Sequence, residues 1–570
     1  MKTEIFERYA AASGHPLATK AAITVLEEGG NAIDAGVAAG IALGVLHSDL
    51  VNFAGVAPIM IRSAQSKEIV TIDGVGVWPQ AATSAYFEQH FAGAMPEGLL
   101  RTVVPAAPAA WIRALRDYGT ISFAQAARFA IDYARDGFDV YPLFAEVIAG
   151  SEAGFRRTAE NQRIYLPNGR PPQVGERFVQ ADLASSLQYM ADQESASGGD
   201  RIAGLQAAHD AFYKGDIARK ICDYHREHSG FLTFDDMAAY QVRYEQPLMV
   251  SFGEFDIVTC GAWCQGLSLA QAFAMLDASV LPAMGHNTST YIHHLTEVFK
   301  LVFADREQYV TDPLFVDVPV DQLLHADYLN ARLGLIRADV AWPDMPPPGD
   351  PHNHAAQLEA AVAMRPVPGD NKTSSLDTSY VCVMDADGNV FSATPSDTAA
   401  TGEVIPGTGL CPSSRGSQSR GISTSINALM PGKRPRLTPN PAIALRNGQP
   451  YMAFGTPGGD VQIQAMIQVF ANCCCFEMPL QEAIDAPRFA SYSFPSSFAP
   501  NEHYPGLLKL EPGIDVIVAE QLSGFGHDVQ RWPRLDWHAG GVCAIQTTTG
   551  GQHTFSAAAD PRRAGSADGF

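Results

Sequence analysis

Apolar residues along this chain recur with a helical period in some stretches and alternate or cluster as strands in others. The run "GHPLATKAAITVLEEGGNAIDAGVAAGIALGVL" (14–46) holds two apolar segments separated by Gly29-Gly30, which predicts a helix, a stop and a second helix. "PIMIRSAQSKEIVTIDG" (58–74) sets two apolar runs around polar residues 63–68 and predicts a β-hairpin. Residues 107–245 are mainly helical: "FAQAARFAIDYARDGF" and "AFYKGDIARKICDYH" place apolar residues at i, i+3 and i+4. "FDIVTCG" (255–261) reads as a strand and "TSTYIHHLTEVFKLVFADREQY" (288–309) as a long helix with one apolar face.

Regularity fades over residues 340–377. Pro343, Pro346, Pro347, Pro348, Pro351, Pro366 and Pro368 exclude a sustained helix or a central strand there. A connector of this length inside a domain is functional or disordered. Hairpin patterns follow it. "SYVCVM" and "VFSAT" flank the turn "DADGN", and "PAIALRNGQPYMAFG" turns at Asn447-Gly448. "DVQIQAMIQVFANCCCF" (460–476) is helical. The first part of the chain is thus mostly helical, and the second is rich in β-hairpins.

Composition removes several classes of function. Of 570 residues, 39 are Lys or Arg and 61 Asp or Glu, a net charge of −22. Such a surface repels phosphate backbones and anionic lipids, so neither nucleic acid nor membrane is expected as a partner. The apolar run 35–46 is too short to span a bilayer and reads as a buried helix. The start, "MKTEIFERYAAASGHPLATK", lacks the apolar core of a secretory signal, so a cytoplasmic location is expected. Nine cysteines, three of them at 473–475, fit buried free thiols in a reducing compartment.

No GxSxG, HExxH, Walker A or GxGxxG motif is present. His293-His294 with Glu297 looks like a metal triad, but adjacent helical residues point about 100° apart and do not readily share one ion. No metal or organic cofactor is expected.

Candidate chemistry lies where the connector meets the first hairpin. Thr378 opens a strand directly after the irregular stretch. If the bond before it is cut, Thr378 becomes a new N-terminus. Its hydroxyl is then a nucleophile and its own α-amine, with a reference pKa of about 7.7–8.0, a general base. A Thr also suits a strand start on packing grounds alone. Gly458-Gly459, in "AFGTPGGDVQIQAMIQ", falls between a strand and a helix start. Its backbone N–H groups can hold an oxyanion there, although a tight turn also explains a glycine pair.

The order and spacing of short motifs over nearly the whole chain resemble the γ-glutamyltransferase family of N-terminal-nucleophile hydrolases. The motifs are "GGNAIDA" (29–35), "ARDGF" (134–138), "FYKGDIA" (212–218), "ADREQYVTDP" (304–313), "DTSYVCVMDADGN" (377–389), "PGTG" (406–409), "PGKRPR" (431–436), "TPGGD" (456–460), "DAPRF" (485–489) and "ADPR" (559–562). The resemblance implies an α+β fold, a four-layer αββα sandwich. It also implies autocatalytic cleavage between Asp377 and Thr378. The fragments 1–377 and 378–570 would stay associated in one globule, and a homodimer of that pair is compatible with it. It maps the nucleophile onto Thr378, the hydroxyl that hydrogen-bonds it onto Ser396, where the family usually has Thr, and the oxyanion glycines onto Gly458 and Gly459.

The resemblance breaks at the substrate clamp. The Arg that grips a glutamyl α-carboxylate in the family falls here on Ser84, and the Asp that grips the α-amine falls on Gln418 or Ser417. Of two hydroxyls that usually follow, one position is Leu437 and the other Thr438. Arg415 is available for a substrate carboxylate, or as a structural residue. Each charge-assisted hydrogen bond contributes about 1.5–3 kcal/mol, so loss of both ends of the clamp weakens glutamyl binding by orders of magnitude. The expected function is hydrolysis of a small acid amide or other acylated amine, with water or an amine as acceptor. Details of "DTSY", "PGTG" and "PGKRPR" resemble the oxamate amidohydrolase branch. Glutathione hydrolase or γ-glutamyltransferase activity, and an uncleaved inactive binding homologue, are the alternatives.

Overall fold

The computed structural model describes residues 4–356, 378–548 and 554–570, with the backbone of Val367–Pro368. Helices form where the period placed them. Pro16–Glu27 stops at the glycine pair, and Ala32–Leu46 starts from a capping box in which Asn31 receives the Asp34 N–H and Asp34 receives the Asn31 N–H. The helix Ser289–Tyr309 is capped by Thr288, and Gln462–Cys474 follows a short 3-10 turn. The described start of the connector, through residue 356, holds turns and isolated bridges after the helix Ala326–Leu333.

Two seven-stranded antiparallel sheets carry the fold. One runs in the order Glu4–Phe6, Thr554–Ala559, Cys543–Thr548, Gln449–Gly455, Ala442–Arg446, Phe255–Thr259, Leu248–Phe252. The other runs Ser566–Gly569, Tyr9–Ser13, Val381–Asp385, Val390–Ala393, Ile59–Arg62, Ile69–Ile72, Tyr244–Glu245. All three hairpins read from the sequence are present. Asn447 and Gly448 turn one of them at positive φ, as a two-residue hairpin requires. Each sheet takes strands from both sides of residue 378, so neither segment builds either sheet alone.

Burial follows strand parity. Tyr380, Cys382 and Met384 join Ala10, Ile443, Ala453 and Ile545 in a core shared by both sheets. Val381 and Val383 instead pack with the helices Pro16–Glu27 and Ala32–Leu46, while Ala442, Ala444 and Phe454 pack with Ser289–Tyr309 and Gln462–Cys474. The packing order is therefore helix, sheet, sheet, helix. All nine cysteines are free thiols; seven are buried, and Cys474 and Cys475 are half-buried.

The charged residues of the short motifs meet in buried ion networks. Arg434 pairs with Asp73 at 3.0 Å and Asp312 at 2.7 Å. Arg488 and Arg562 close on Asp560, and Arg562 also reaches Glu511. Asp385 holds its own turn through Asn389 and accepts the Ala32 N–H at 2.9 Å, tying hairpin to helix start. A buried charge without its partner is costly, which explains why these motifs carry matched acids and bases at long sequence separation.

Candidate active site

The register of the hairpin fixes the first two candidate side chains. Val381 pairs with Ala393; continuing three residues outward on each strand brings Thr378 opposite Ser396, where an antiparallel bridge forms. Thr378 Oγ1 and Ser396 Oγ lie 2.7 Å apart, and both residues are fully buried. Thr378 shares the parity of Tyr380 and Cys382, so its side chain belongs to the face turned toward the other sheet. Ser396 is held from behind as well: its N–H donates to Val56 O at 3.0 Å and its carbonyl accepts from Val56 N. Gly55 permits this approach, since a Cβ there would stand 2.4 Å from Ser396 O.

Arg415, in the 3-10 turn Arg415–Gln418, is buried and donates from Nη2 to Ser396 Oγ. Its Nε lies 3.8 Å from Asp397 Oδ2, and its guanidinium stands 5.3 Å over the Phe498 ring. Asp397 sits at φ 128°, a backbone conformation that costs a non-glycine residue about 1–3 kcal/mol. Its carboxylate is fixed there by Ser413 Oγ at 2.6 Å, Ser414 Oγ at 2.9 Å and Ser414 N at 3.2 Å.

The glycine turn lies between strand Gln449–Gly455 and helix Gln462–Cys474. Gly458 has φ 124° and Gly459 φ 56°, both in the region that favours glycine. Among the described residues neither amide donates a hydrogen bond, and both glycines line a recess of about 480 Å³, its open mouth included. Tyr492, Phe494, Phe498 and Tyr504 supply aromatic walls and Glu502 a carboxylate that accepts from Tyr504 OH at 2.7 Å. Two contacts join this turn to the hydroxyl pair: Gly455 lies against the Tyr380 ring, and Arg415 against Phe498.

Asp460 anchors the turn. It accepts from Gln265 Nε2 at 2.7 Å and from Ser497 N and Oγ at 2.8 and 2.6 Å, and is ion-paired with Arg306. Arg306 also pairs with Glu307, which meets Arg436 at 2.7 Å and Arg420 at 3.1 Å. Burial alone would push the Glu307 carboxyl up, but Arg436, Arg306 and Arg420 outweigh it and hold it at about 2. Its folded value is therefore below the unfolded one near 4.3, and the associated stability, present above pH 4.3, is lost as pH falls toward 2. A thermal-melt series from pH 7 to pH 2 should show this acid loss in the wild type. Glu307→Gln should be less stable at pH 7 and flatter between pH 4.3 and 2.

The substrate-side positions divide. Gln418 Nε2 donates to Thr438 Oγ1 at 3.0 Å, so these two meet. Ser84 instead opens the helix Ser84–Phe91 and donates to the Leu429 carbonyl at 2.7 Å. Arg415 is turned to Ser396 and Asp397. Asp377, the other side of the expected cleavage bond, lies outside the described residues. His293 does meet a second histidine, though not His294: its Nδ1 is 2.8 Å from His527 Nε2, and its Nε2 donates to Arg337 O. These two and Glu297 form a grouping that could hold an ion, with Glu297 ion-paired at 2.8 Å with Lys300. Asp397 and the ring wall of the recess carried no signal in the sequence, and Asp460 and Arg306 stood there only as motif members without a role, because their contacts reach partners 16 to 195 residues away.

The family model described as gamma-glutamyltranspeptidase matches residues 18–570. The protein named Acylase ACY 1 proenzyme from Pseudomonas sp. (strain SE83) is 30% identical, covering 96% of this chain and 91% of its own length. The Glutathione hydrolase proenzyme of Bacillus subtilis (strain 168) is 29% identical, covering 98% and 91%. The crystal structure of cephalosporin acylase from Bacillus halodurans superposes with a TM-score of 0.85 at 25% identity, covering all of this chain and 97% of that one.

Proposed function

The chain belongs to the gamma-glutamyltranspeptidase family and is an amide hydrolase of it; we propose that Thr378 is its nucleophile, released by self-cleavage of the bond before it, and that its substrates are small acylated amines rather than γ-glutamyl compounds. The observation that carries this reading is the buried 2.7 Å contact between Thr378 Oγ1 and Ser396 Oγ at the end of the connector. The proenzyme names of the relatives support the maturation step.

In maturation, Thr378 Oγ1 attacks the carbonyl carbon of residue 377. The C–N bond breaks, the nitrogen keeps its own hydrogen and takes the proton lost by the Thr378 hydroxyl to become an amine, and water then hydrolyses the resulting ester to a carboxylate and the free hydroxyl. In turnover the same oxygen attacks an amide carbonyl while the new α-amine takes the hydroxyl proton. The Gly458 and Gly459 N–H groups receive the oxyanion. Collapse expels the amine, which takes that proton, and leaves an acyl ester on Thr378. Water attacks the ester, giving a proton to the α-amine, which passes it to Thr378 Oγ1 as the acid departs.

The acyl group is argued from the recess. Ser84 and Gln418 are already bonded to Leu429 O and Thr438, and four aromatic rings face the glycine turn. An apolar or flat acyl group suits such walls better than a zwitterion. Glu502 favours the second reading, because its carboxylate could take a glutamyl α-amine. The test is a panel of N-acetyl, N-phenylacetyl, N-glutaryl and γ-glutamyl p-nitroanilides, with oxamate. A kcat/KM for a non-glutamyl amide at least about tenfold above the γ-glutamyl anilide is expected, the discrimination that one missing contact of about 1.4 kcal/mol gives. A γ-glutamyl anilide in first place would select the second reading, and a mature protein running as one intact band would contradict both.

A further inference from the structure

Arg415 is a buried arginine that donates to Ser396 Oγ, the oxygen that itself touches the nucleophile. A guanidinium has five donors and no acceptor, and it does not deprotonate in proteins. In this contact Ser396 Oγ can only accept. A hydroxyl that accepts from a cation becomes a stronger donor of its own proton. The oxygen 2.7 Å away is Thr378 Oγ1, where negative charge develops as the Thr378 proton leaves. Asp397, fixed by Ser413 and Ser414, lies 3.8 Å from the guanidinium Nε and sets its position. Resting on the reading of Thr378 as nucleophile, we propose that Arg415 is a positioning residue for its attack: it holds Ser396 as acceptor, aims the Ser396 proton at Thr378 Oγ1, and stabilises the charge that grows there.

This differs from a role in binding a substrate carboxylate, and kinetics separate the two. The variants are Arg415→Gln and Arg415→Lys, each alone and combined with Ser396→Ala. The substrate is the anilide turned over fastest in the panel, with rates normalised to the fraction of chain cleaved. Arg415→Gln should lower kcat about 10- to 100-fold, the size of one charge-assisted hydrogen bond, with KM within about threefold. Arg415→Lys should recover part of that loss. In the Ser396→Ala background, Arg415→Gln should remove less than about threefold more, because the hydroxyl through which it acts is gone. A raised KM with kcat kept would make Arg415 a substrate ligand and overturn the proposal. An equal loss with and without Ser396 would overturn it too. If Arg415→Gln does not fold, the Lys variant carries the same cycle. Turnover persisting in Thr378→Ala would instead mark failure of the underlying reading.

Discussion

Thr378→Ala is expected to accumulate as a single uncleaved chain without measurable turnover, a loss of at least about 10⁴-fold in kcat. The reason is that one oxygen serves both reactions. It attacks the backbone carbonyl before it during maturation, and the substrate carbonyl afterwards; the base for the second attack exists only because the first succeeded. The fold should survive. Thr378 is placed by a hairpin register that continues through Val381, Cys382, Val383 and Met384, all backbone-paired, and loss of a hydroxyl and a methyl there costs about 1–2 kcal/mol. A melting temperature within a few degrees of the wild type should confirm this. Thr378→Ser keeps the oxygen and should still mature, more slowly. Denaturing gels and intact mass read the outcome. Cleavage at the same bond in the Ala variant, or turnover by its intact chain, would place the nucleophile elsewhere.

How much of this was legible in the sequence depends on where each signal lives. Local signals were readable. The glycine pair ended Pro16–Glu27, the polar segment 63–68 turned a hairpin, and the spacing from Thr378 to Asn389 marked a strand, a turn and a return. A strand built mostly of alanine was not. Tyr9–Ser13 reads "YAAAS", with little but small residues and no alternation, yet it is paired on both sides within its sheet. The sequence division into a helical first segment and a β-rich second one also misses that each sheet takes strands from both.

The site shows the same division. Ser396 was named through the family resemblance alone, although hairpin register turns its sequence distance from Thr378 into spatial proximity. The role of Arg415 was not readable, since a loop residue has no such rule. Its partner is decided by how residues 395–420 fold back over the end of a strand. Ser84 shows the converse: aligned with a substrate ligand, it bonds a carbonyl 345 residues away. Charged motif residues were readable as a pattern but not as pairs, because Arg434 and Asp73 meet only through the tertiary fold.

Gly458→Ala should lower kcat about 10²- to 10³-fold while KM changes little, the loss associated with removing one oxyanion donor. The argument is conformational rather than steric. A Cβ at Gly458 would meet nothing closer than Val461 Cβ at 3.5 Å and Gly540 Cα at 3.6 Å, so there is room for it. What an L residue resists is φ 124°, and relief of that strain rotates the peptide whose N–H faces the recess. Gly448→Ala is the matched control. That residue has φ 71° at a hairpin turn with nothing within 4 Å of the added Cβ, and it is remote from the recess. Both substitutions should destabilise by a comparable small amount, on the order of 1 kcal/mol, but only the first should reduce kcat. Equal activity in the two variants would show that the oxyanion is held by other donors. A loss of kcat in both would trace the effect to general loosening of the strand Gln449–Gly455, which the two glycines flank.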